Sequence, residues 1–210
     1  MQKKILKYSL IAVLLFFVGY HAVYFKKLSE VKQTAGNAFD AIAYTDQLWK
    51  NELPAQLNNA VELSELMTMI QQDPDKAFAK YSNAMAIGNY RYSLVTLTAI
   101  VQSVNEDDIA VEIPTKTGHL KSTIATEFIY GNAIRDASAL VDIRHFPNSA
   151  DLSGISEALN DKVRKEIIPS FKARVKTGNR LNVIAAIEIN KEHIQTNDFE
   201  LVPLQLTIIQ

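Results

Sequence analysis

Residues 92–113 read YSLVTLTAIVQSVNEDDIAVEI, and this stretch decides the fold class. Residues 92–104 are rich in Val, Leu, Thr and Ile, which favour an extended chain. The polar run at 105–108 predicts a turn. Beyond it, every second residue of 109–113 is β-branched and apolar, as in a half-buried strand. The stretch therefore predicts two strands joined by a hairpin turn.

Downstream, the same reasoning predicts three more strands and one helix. A third strand begins near Leu120, and residues 151–168 have apolar side chains at helical spacing until Pro169 ends or kinks the helix. Strands at 181–189 and 202–208 follow. Three strands, a helix and two strands is the order of an OB-type five-stranded antiparallel barrel. The alternative is an open antiparallel sheet covered by one helix, and both are α+β folds.

Upstream of the strands, the sequence predicts helices. Apolar stripes recur through 31–72 with an interruption at Pro54, and Asp73 followed by Pro74 is typical of a helix start, which predicts a helix at 74–81. Further along, residues 141–144 suggest a short strand. We therefore divide the chain into an anchor at 1–27, a helical segment at 28–88 and an OB-like barrel domain at 89–210.

The amino-terminal segment predicts where the protein is located. Residues 5–25 are almost unbroken apolar sequence with Lys3, Lys4 and Lys7 at its front edge, and about 20 such residues span a bilayer as a helix. Bulky rings near the end of the run disfavour cleavage by signal peptidase. The lysine bias favours a tail on the inner side, so we predict a single-pass anchor with residues 28–210 outside. The alternative is a buried core helix.

Composition excludes several functions. The chain has 22 Lys and Arg against 23 Asp and Glu. Five of the lysines flank the apolar run, so the rest of the chain is negatively charged and nucleic-acid binding is excluded. The absence of cysteine removes disulfides and thiolate chemistry. His119, His145 and His193 are too scattered to suggest a metal site. We therefore predict no catalytic residue, metal or cofactor.

One polar stretch stands out as a candidate site. Residues 130–137 read YGNAIRDA, which places a glycine, an amide and an adjacent guanidinium and carboxylate among apolar neighbours. Such groups need partners if they are buried. Either Arg135 and Asp136 tie the third strand to the following loop, or Arg135 is a planar donor to a sugar or a carboxylate. The structural interpretation is favoured because buried polar groups are usually satisfied.

This stretch, with several others, resembles a known family. The matching pieces are 24–28, Phe39-Asp40, Ala43-Tyr44, Trp49, 131–137, Phe146-Pro147-Asn148, Ala158-Leu159-Asn160 with Val163, and Val202-Pro203-Leu204. Together they resemble an uncharacterised family of predicted periplasmic lipoproteins that is often encoded beside sugar ABC transporters. The resemblance implies a periplasmic domain tethered to the inner membrane, an OB-like barrel and no established activity. The chain lacks a lipid-bearing cysteine, so the apolar run would be its tether.

The leading functional hypothesis is a non-enzymatic, membrane-anchored periplasmic binding or accessory module. Its expected partners are the inner membrane and either a carbohydrate or a component of an ABC transporter. The candidate residues for the site or its scaffold are Gly131, Asn132, Arg135, Asp136, Asn148 and Asn160.

Two alternatives remain open from the sequence. An enzyme acting on cell-wall glycans would need two carboxylates flanking a cleft, and Glu127, Asp136 and Asp142 are the candidates. A purely structural envelope protein would instead pair its helices at 31–81 with a partner, through exposed apolar patches.

Overall fold

The computed structural model describes residues 8, 17, 39–85, 88–115, 118–195 and 197–209. The chain divides into Met1–Phe39 and Asp40–Gln210, and the second unit contains the strands and helices of the barrel. Among the described residues, no helix is both long and apolar enough to cross a membrane. The anchor predicted at residues 5–25 lies outside the described residues except for Tyr8 and Phe17.

The described strands form one sheet that curls into a barrel. Their order is β1-β2-β3-β4-β6-β5, and β5 also pairs with β2, which closes the barrel and excludes the open sheet. The β1–β2 and β4–β6 pairs are parallel and the others antiparallel. The strands are β1 at Val61–Glu62, β2 at Tyr90–Val104, β3 at Asp108–Thr115, β4 at Gly118–Ala125, β5 at Arg180–Asn190 and β6 at Phe199–Ile209.

The sheet has six strands rather than the predicted five. The additional strand is β1, whose Val61 pairs with Val95 of β2. Two residues are too few to show the alternation from which a strand is recognised in a sequence. The other five match the predicted order, with the helices that follow β4 preceding β5. The class of fold is therefore confirmed, and the strand count is corrected.

The long strand β2 makes closure of the barrel possible. Tyr90 to Ile100 pair with β5, and Ile100 to Val104 pair with β3. A register shift between Val101 and Ser103 marks a bulge, the device by which a strand bends sharply enough to serve two neighbours. Inside, the barrel is filled by aliphatic side chains, and the helix at Leu63–Gln72 and the segment after it contribute to the same core. Representative buried members are Val95, Leu97, Val101, Leu63, Leu66, Ile70 and Phe171.

Helices cover one outer wall of the barrel. In the described part of the chain the helices are α1 at Ala41–Gln47, α2 at Leu53–Leu57, α3 at Leu63–Gln72, α4 at Pro74–Tyr81, α5 at Ala133–Ser138, α6 at Ser149–Lys162 and α7 at Ile168–Lys172, and α1, α5 and α6 belong to this wall. The helix α5 packs on β2 and β5, α6 packs on α5, and α1 packs on α6. Leu94 and Ala186, which pair across β2 and β5, are buried although they are not part of the interior core.

Two prolines are accommodated by π-helical turns. Leu48–Glu52 lies between α1 and α2, and Val163–Ile167 lies between α6 and α7. Pro54 and Pro169 follow these turns within the first residues of α2 and α7, where a missing N–H has little cost. The interruption predicted at Pro54 and the end or kink predicted at Pro169 therefore correspond to wide π-helical turns, and the helices continue beyond them.

A short helix and a short strand predicted from the sequence have opposite outcomes. The helix predicted at 74–81 is confirmed as α4, and the Asp73 side chain accepts a 3.1 Å hydrogen bond from the Lys76 N–H. The strand suggested at 141–144 is wrong, because Ile143–His145 is a 3-10 helix. The Asp142 side chain accepts from the Arg144 N–H at 2.9 Å, and this cap overrides the extended preference of the β-branched residues beside it.

Candidate functional site

The candidate stretch 130–137 enters α5, and its two charged side chains are buried beneath the surface. Arg135 and Asp136 are 7% and 2% exposed. Arg135 Nε lies 2.7 Å from Asp136 Oδ1, and Arg135 Nη1 donates to the Leu152 carbonyl oxygen at 3.2 Å and to Ser156 Oγ at 3.1 Å. Because these donors are committed to α6 and to Asp136, the pair forms a scaffold between two helices.

Two amides fix the backbone just before α5. Asn160 Nδ2 donates to the Gly131 carbonyl oxygen at 3.0 Å, and Ser156 Oγ donates to Asn132 Oδ1 at 3.1 Å. Asn160 is buried at 3% exposure, while Gly131 and Asn132 are exposed. Gly131 has φ +77°, a conformation that favours glycine. The hydrogen bonds therefore hold an exposed turn in one conformation above α6.

Asn148 has a different role from the other five candidates. It is the N-cap of α6, and its side chain accepts from the Ala150 N–H at 2.9 Å. Gly131, Asn132, Arg135, Asp136 and Asn160 are brought together around the α5–α6 contact, and Asn148 is at the other end of the helix from Asn160.

The exposed turn borders a concave surface on the barrel, which we call the barrel groove. Its volume is about 480 Å³, within the range of small-molecule sites. One wall comes from the turn at Gly131 and Asn132, and the other from the end of β5, the start of β6 and the loop between them. The polar side chains in its lining are Asn132, Glu188, Asn190, His193, Gln195, Asp198 and Glu200.

Two glutamates define the charge of this groove. Ala186 of β5 pairs with Val202 of β6. Glu188 lies two residues after Ala186 and Glu200 two residues before Val202, so both project from the same face of the sheet. Partial burial, together with the carboxylates of Asp108 and Glu188, raises the pKa of Glu200. No lysine or arginine lines the groove among the described residues, so its field is negative.

Aromatic side chains form part of the rim. Tyr130 is 69% exposed and Tyr90 is 50% exposed, and both line the barrel groove. The Tyr130 ring centroid lies 6.5 Å from that of Phe128 and 5.5 Å from the Arg164 guanidinium carbon. Exposed rings of this kind offer an apolar face beside polar walls.

On the other side of the same turn is a second concavity of about 290 Å³, which we call the helix groove. It shares Tyr130, Gly131 and Asn132 with the barrel groove, and its remaining lining comes from α6 and the turn that follows. Those residues are Ser153, Ser156, Glu157, Asn160 and Arg164.

The carboxylates proposed for catalysis do not meet in either groove. Asp136 is buried against Arg135, and hydrogen bonds from Arg144 hold the pKa of Asp142 well below its usual range. Glu127 is exposed on the loop before α5. None of the three lines the barrel groove or the helix groove.

Sequence reasoning missed the β5–β6 part of the groove. Glu188 and Glu200 belong to different strands, and only the pairing register shows that they share a face. The usable signal is a pair of acidic residues at outward positions on the two strands of one hairpin, both beside its loop, but the register is needed to recognise it.

The closed barrel with helices between its third and fourth long strands defines an OB-type α+β domain with a polar groove on one wall. The chain belongs to the family described as "Predicted periplasmic lipoprotein (DUF2291)", whose model matches residues 13–207. The family is of unknown function, and the predicted resemblance is confirmed. Its description indicates a membrane-associated periplasmic protein.

The fold is also seen in a solved structure. The crystal structure of an OB-fold protein from Thermotoga maritima MSB8 is similar with a TM-score of 0.72 and 22% sequence identity, over 81% of this chain and 99% of that chain. At that identity the similarity shows the fold alone. No curated protein matches the chain.

Proposed function

We propose that the protein is a non-enzymatic periplasmic binding module whose barrel groove takes a neutral, hydroxyl-rich small molecule, namely a sugar. The observation that carries the proposal is that Tyr130 and Asn132 line the same groove as Glu188 and Glu200. This arrangement places an aromatic face beside side chains that accept and donate hydrogen bonds.

The chemistry of the walls supports a sugar over other small molecules. A hydroxyl group both donates and accepts, so it satisfies carboxylates and amides alike. Glu188 and Glu200 accept, while the side-chain amides of Asn132 and Asn190 donate. The rings of Tyr90 and Tyr130 can pack against the apolar face of a pyranose. The negative field opposes phosphates and sugar acids.

In this proposal the candidate residues have separate roles. Gly131 and Asn132 form the wall of the groove, Asn160 holds that wall in place, and Arg135 with Asp136 forms the scaffold below. Residues 5–25 anchor the module in the inner membrane, and the sugar is passed to or received from an ABC-transporter component. The role of Arg135 as a direct ligand donor is not part of the proposal, because Arg135 is buried and its Nε and Nη1 are already bonded.

The test is isothermal titration of the full chain in detergent with neutral monosaccharides and with the corresponding uronic acids. We expect binding of a neutral sugar and none of its acid. Tyr130→Ala should weaken that binding at least tenfold, because the aromatic face is removed. Glu52→Gln, at an exposed position outside both grooves, should leave it unchanged. Equal behaviour of the two variants, or no binding of any saccharide, would refute the proposal.

A further inference from the structure

The barrel groove and the helix groove meet along one short segment. Tyr130, Gly131 and Asn132 line both of them. The two concavities are therefore the two sides of a single ridge, and a molecule seated in the first reaches the second by crossing that ridge. We propose that they form one continuous site for an oligosaccharide, an inference that rests on the proposed function and deepens it.

Hydrogen bonds from α6 fix the conformation of the ridge. Asn160 holds the Gly131 carbonyl oxygen and Ser156 holds Asn132 Oδ1. Asn132 thus has its acceptor committed to α6, and among the described residues its Nδ2 has no hydrogen-bond partner. An exposed amide donor on a fixed backbone, at the boundary of two grooves, can serve a sugar unit on either side.

Tyr130 provides the second fixed element on the ridge. Its ring is largely exposed, yet the Arg164 guanidinium lies against it and also donates to the Ile129 carbonyl oxygen and to Asp161. A cation over one face restrains the ring and leaves the rest available to a ligand. Because Arg164 is already paired, the helix groove is not an anion site, and its Ser153 and Glu157 suit hydroxyl groups.

The sizes of the two grooves fit a chain of sugars. The barrel groove, at about 480 Å³, has room for a small ligand alone, whereas the helix groove, at about 290 Å³, is at the lower limit for a separate site. An extended ligand uses both, and the polar side chains in the two linings offer hydrogen bonds to hydroxyl groups along its length. A peptide would instead need apolar pockets for alternate side chains, and we make peptide binding an outcome of the test.

The test uses the full chain in detergent, an array of neutral glycans of one to six units and a library of short peptides. The best tetrasaccharide and its own monosaccharide are then titrated against the native protein and two variants. Ser153→Trp fills the helix groove. Ser170→Trp is the matched control, since Ser170 is also an exposed helical serine that donates to a preceding carbonyl oxygen, outside both grooves.

We expect the tetrasaccharide to bind at least tenfold more tightly than the monosaccharide. Ser153→Trp should reduce this gain at least threefold, because it weakens binding of the tetrasaccharide by that much more than binding of the monosaccharide, and Ser170→Trp should keep the gain. If a monosaccharide binds but the longer chain gains nothing, or both variants behave alike, the continuous site is refuted and the proposed function stands. If only peptides bind, both are refuted.

Discussion

The Asn160 side chain donates a 3.0 Å hydrogen bond to the carbonyl oxygen of Gly131, a residue 29 positions earlier in the chain. This single bond joins the buried side of α6 to the turn that carries Tyr130. The helix α6 in turn packs on α5, and the turn after α6 packs on β6. The geometry of the groove wall is thus set by side chains that lie beneath the exposed surface.

Asn160→Ala should lower the free energy of unfolding by about 1–3 kcal/mol, because it leaves the Gly131 carbonyl oxygen without its partner. Urea denaturation of the full chain measures the change. Asn51→Ala is the matched control, since its side-chain amide also donates one hydrogen bond, to Gln47, but is exposed, and it should change stability by less than about 0.5 kcal/mol. Similar losses in both variants would contradict the assigned role of Asn160.

Arg135→Ala should be more damaging, by about 3–5 kcal/mol, because it leaves the Asp136 carboxylate buried and unpaired. Arg144→Ala removes an exposed arginine–aspartate pair, that of Arg144 with Asp142, in which the arginine side chain is 83% exposed. That variant should change stability far less than Arg135→Ala, because water screens an exposed pair.

A double variant separates loss of the ion pair from loss of packing. Arg135→Met with Asp136→Leu removes both charges together, so it should recover much of the stability lost in Arg135→Ala. Thermal unfolding of the three variants side by side gives the comparison. If Arg135→Ala unfolds like the native protein, Arg135 is not a scaffold residue.

Gly131→Ala should destabilise the protein by about 1 kcal/mol or more through backbone strain alone, because Gly131 has φ +77° and an added Cβ meets nothing within 4 Å. Gly88→Ala is the control. Its Cβ also meets nothing within 4 Å, and its φ lies outside the left-handed range, so this variant should be neutral or slightly stabilising. Gly131→Ala should therefore melt at a lower temperature than Gly88→Ala. The reverse order would contradict the assigned turn.

Glu200→Gln should make stability less dependent on pH. The pKa of Glu200 is raised in the folded state, so its contribution to stability is fully present below the pKa of the unfolded chain and is lost as the pH rises through the folded value. Glutamine does not ionise. The variant should therefore melt at a higher temperature than the native protein at pH 7, and the difference should shrink towards pH 4.

The control for this prediction is Glu52→Gln, an exposed glutamate outside the barrel groove. Its melting temperature should follow that of the native protein at both pH values. A Glu200→Gln variant that is less stable at pH 7 would show that favourable contacts hold the carboxylate, and that burial and neighbouring carboxylates do not dominate its pKa.

The long strands and the order of the barrel could be predicted because their residues alternate locally. Ile109, Val111 and Ile113 are all buried in the interior, as their spacing indicated. The groove could not be predicted in the same way. Tyr130 and Glu200 are 70 residues apart in numbering, and their shared surface depends on strand register and on how α5 lies on β5. Such long-range placement leaves no local pattern in a single sequence.

The buried pair could be predicted in part, because its residues are adjacent in the sequence. Arg135 and Asp136 stand among apolar neighbours, so their need for partners was visible, but the partners themselves, Leu152 and Ser156, were not. Asn148 was grouped with them, although its position before α6 is typical of a helix cap.

The barrel groove has one wall on the strands β5 and β6 and the other on the turn before α5, at Tyr130 and Asn132, which α6 holds in place. Local opening of those helices dismantles the groove even while the strands stay paired. A ligand binds only while the helices are packed on the barrel and the groove is intact. By mass action, the bound ligand therefore makes local opening of the helices rarer. Amide hydrogen exchange in α5 and α6 should slow whenever the groove is filled, so crude mixtures can be screened by isotope uptake before the occupant is known.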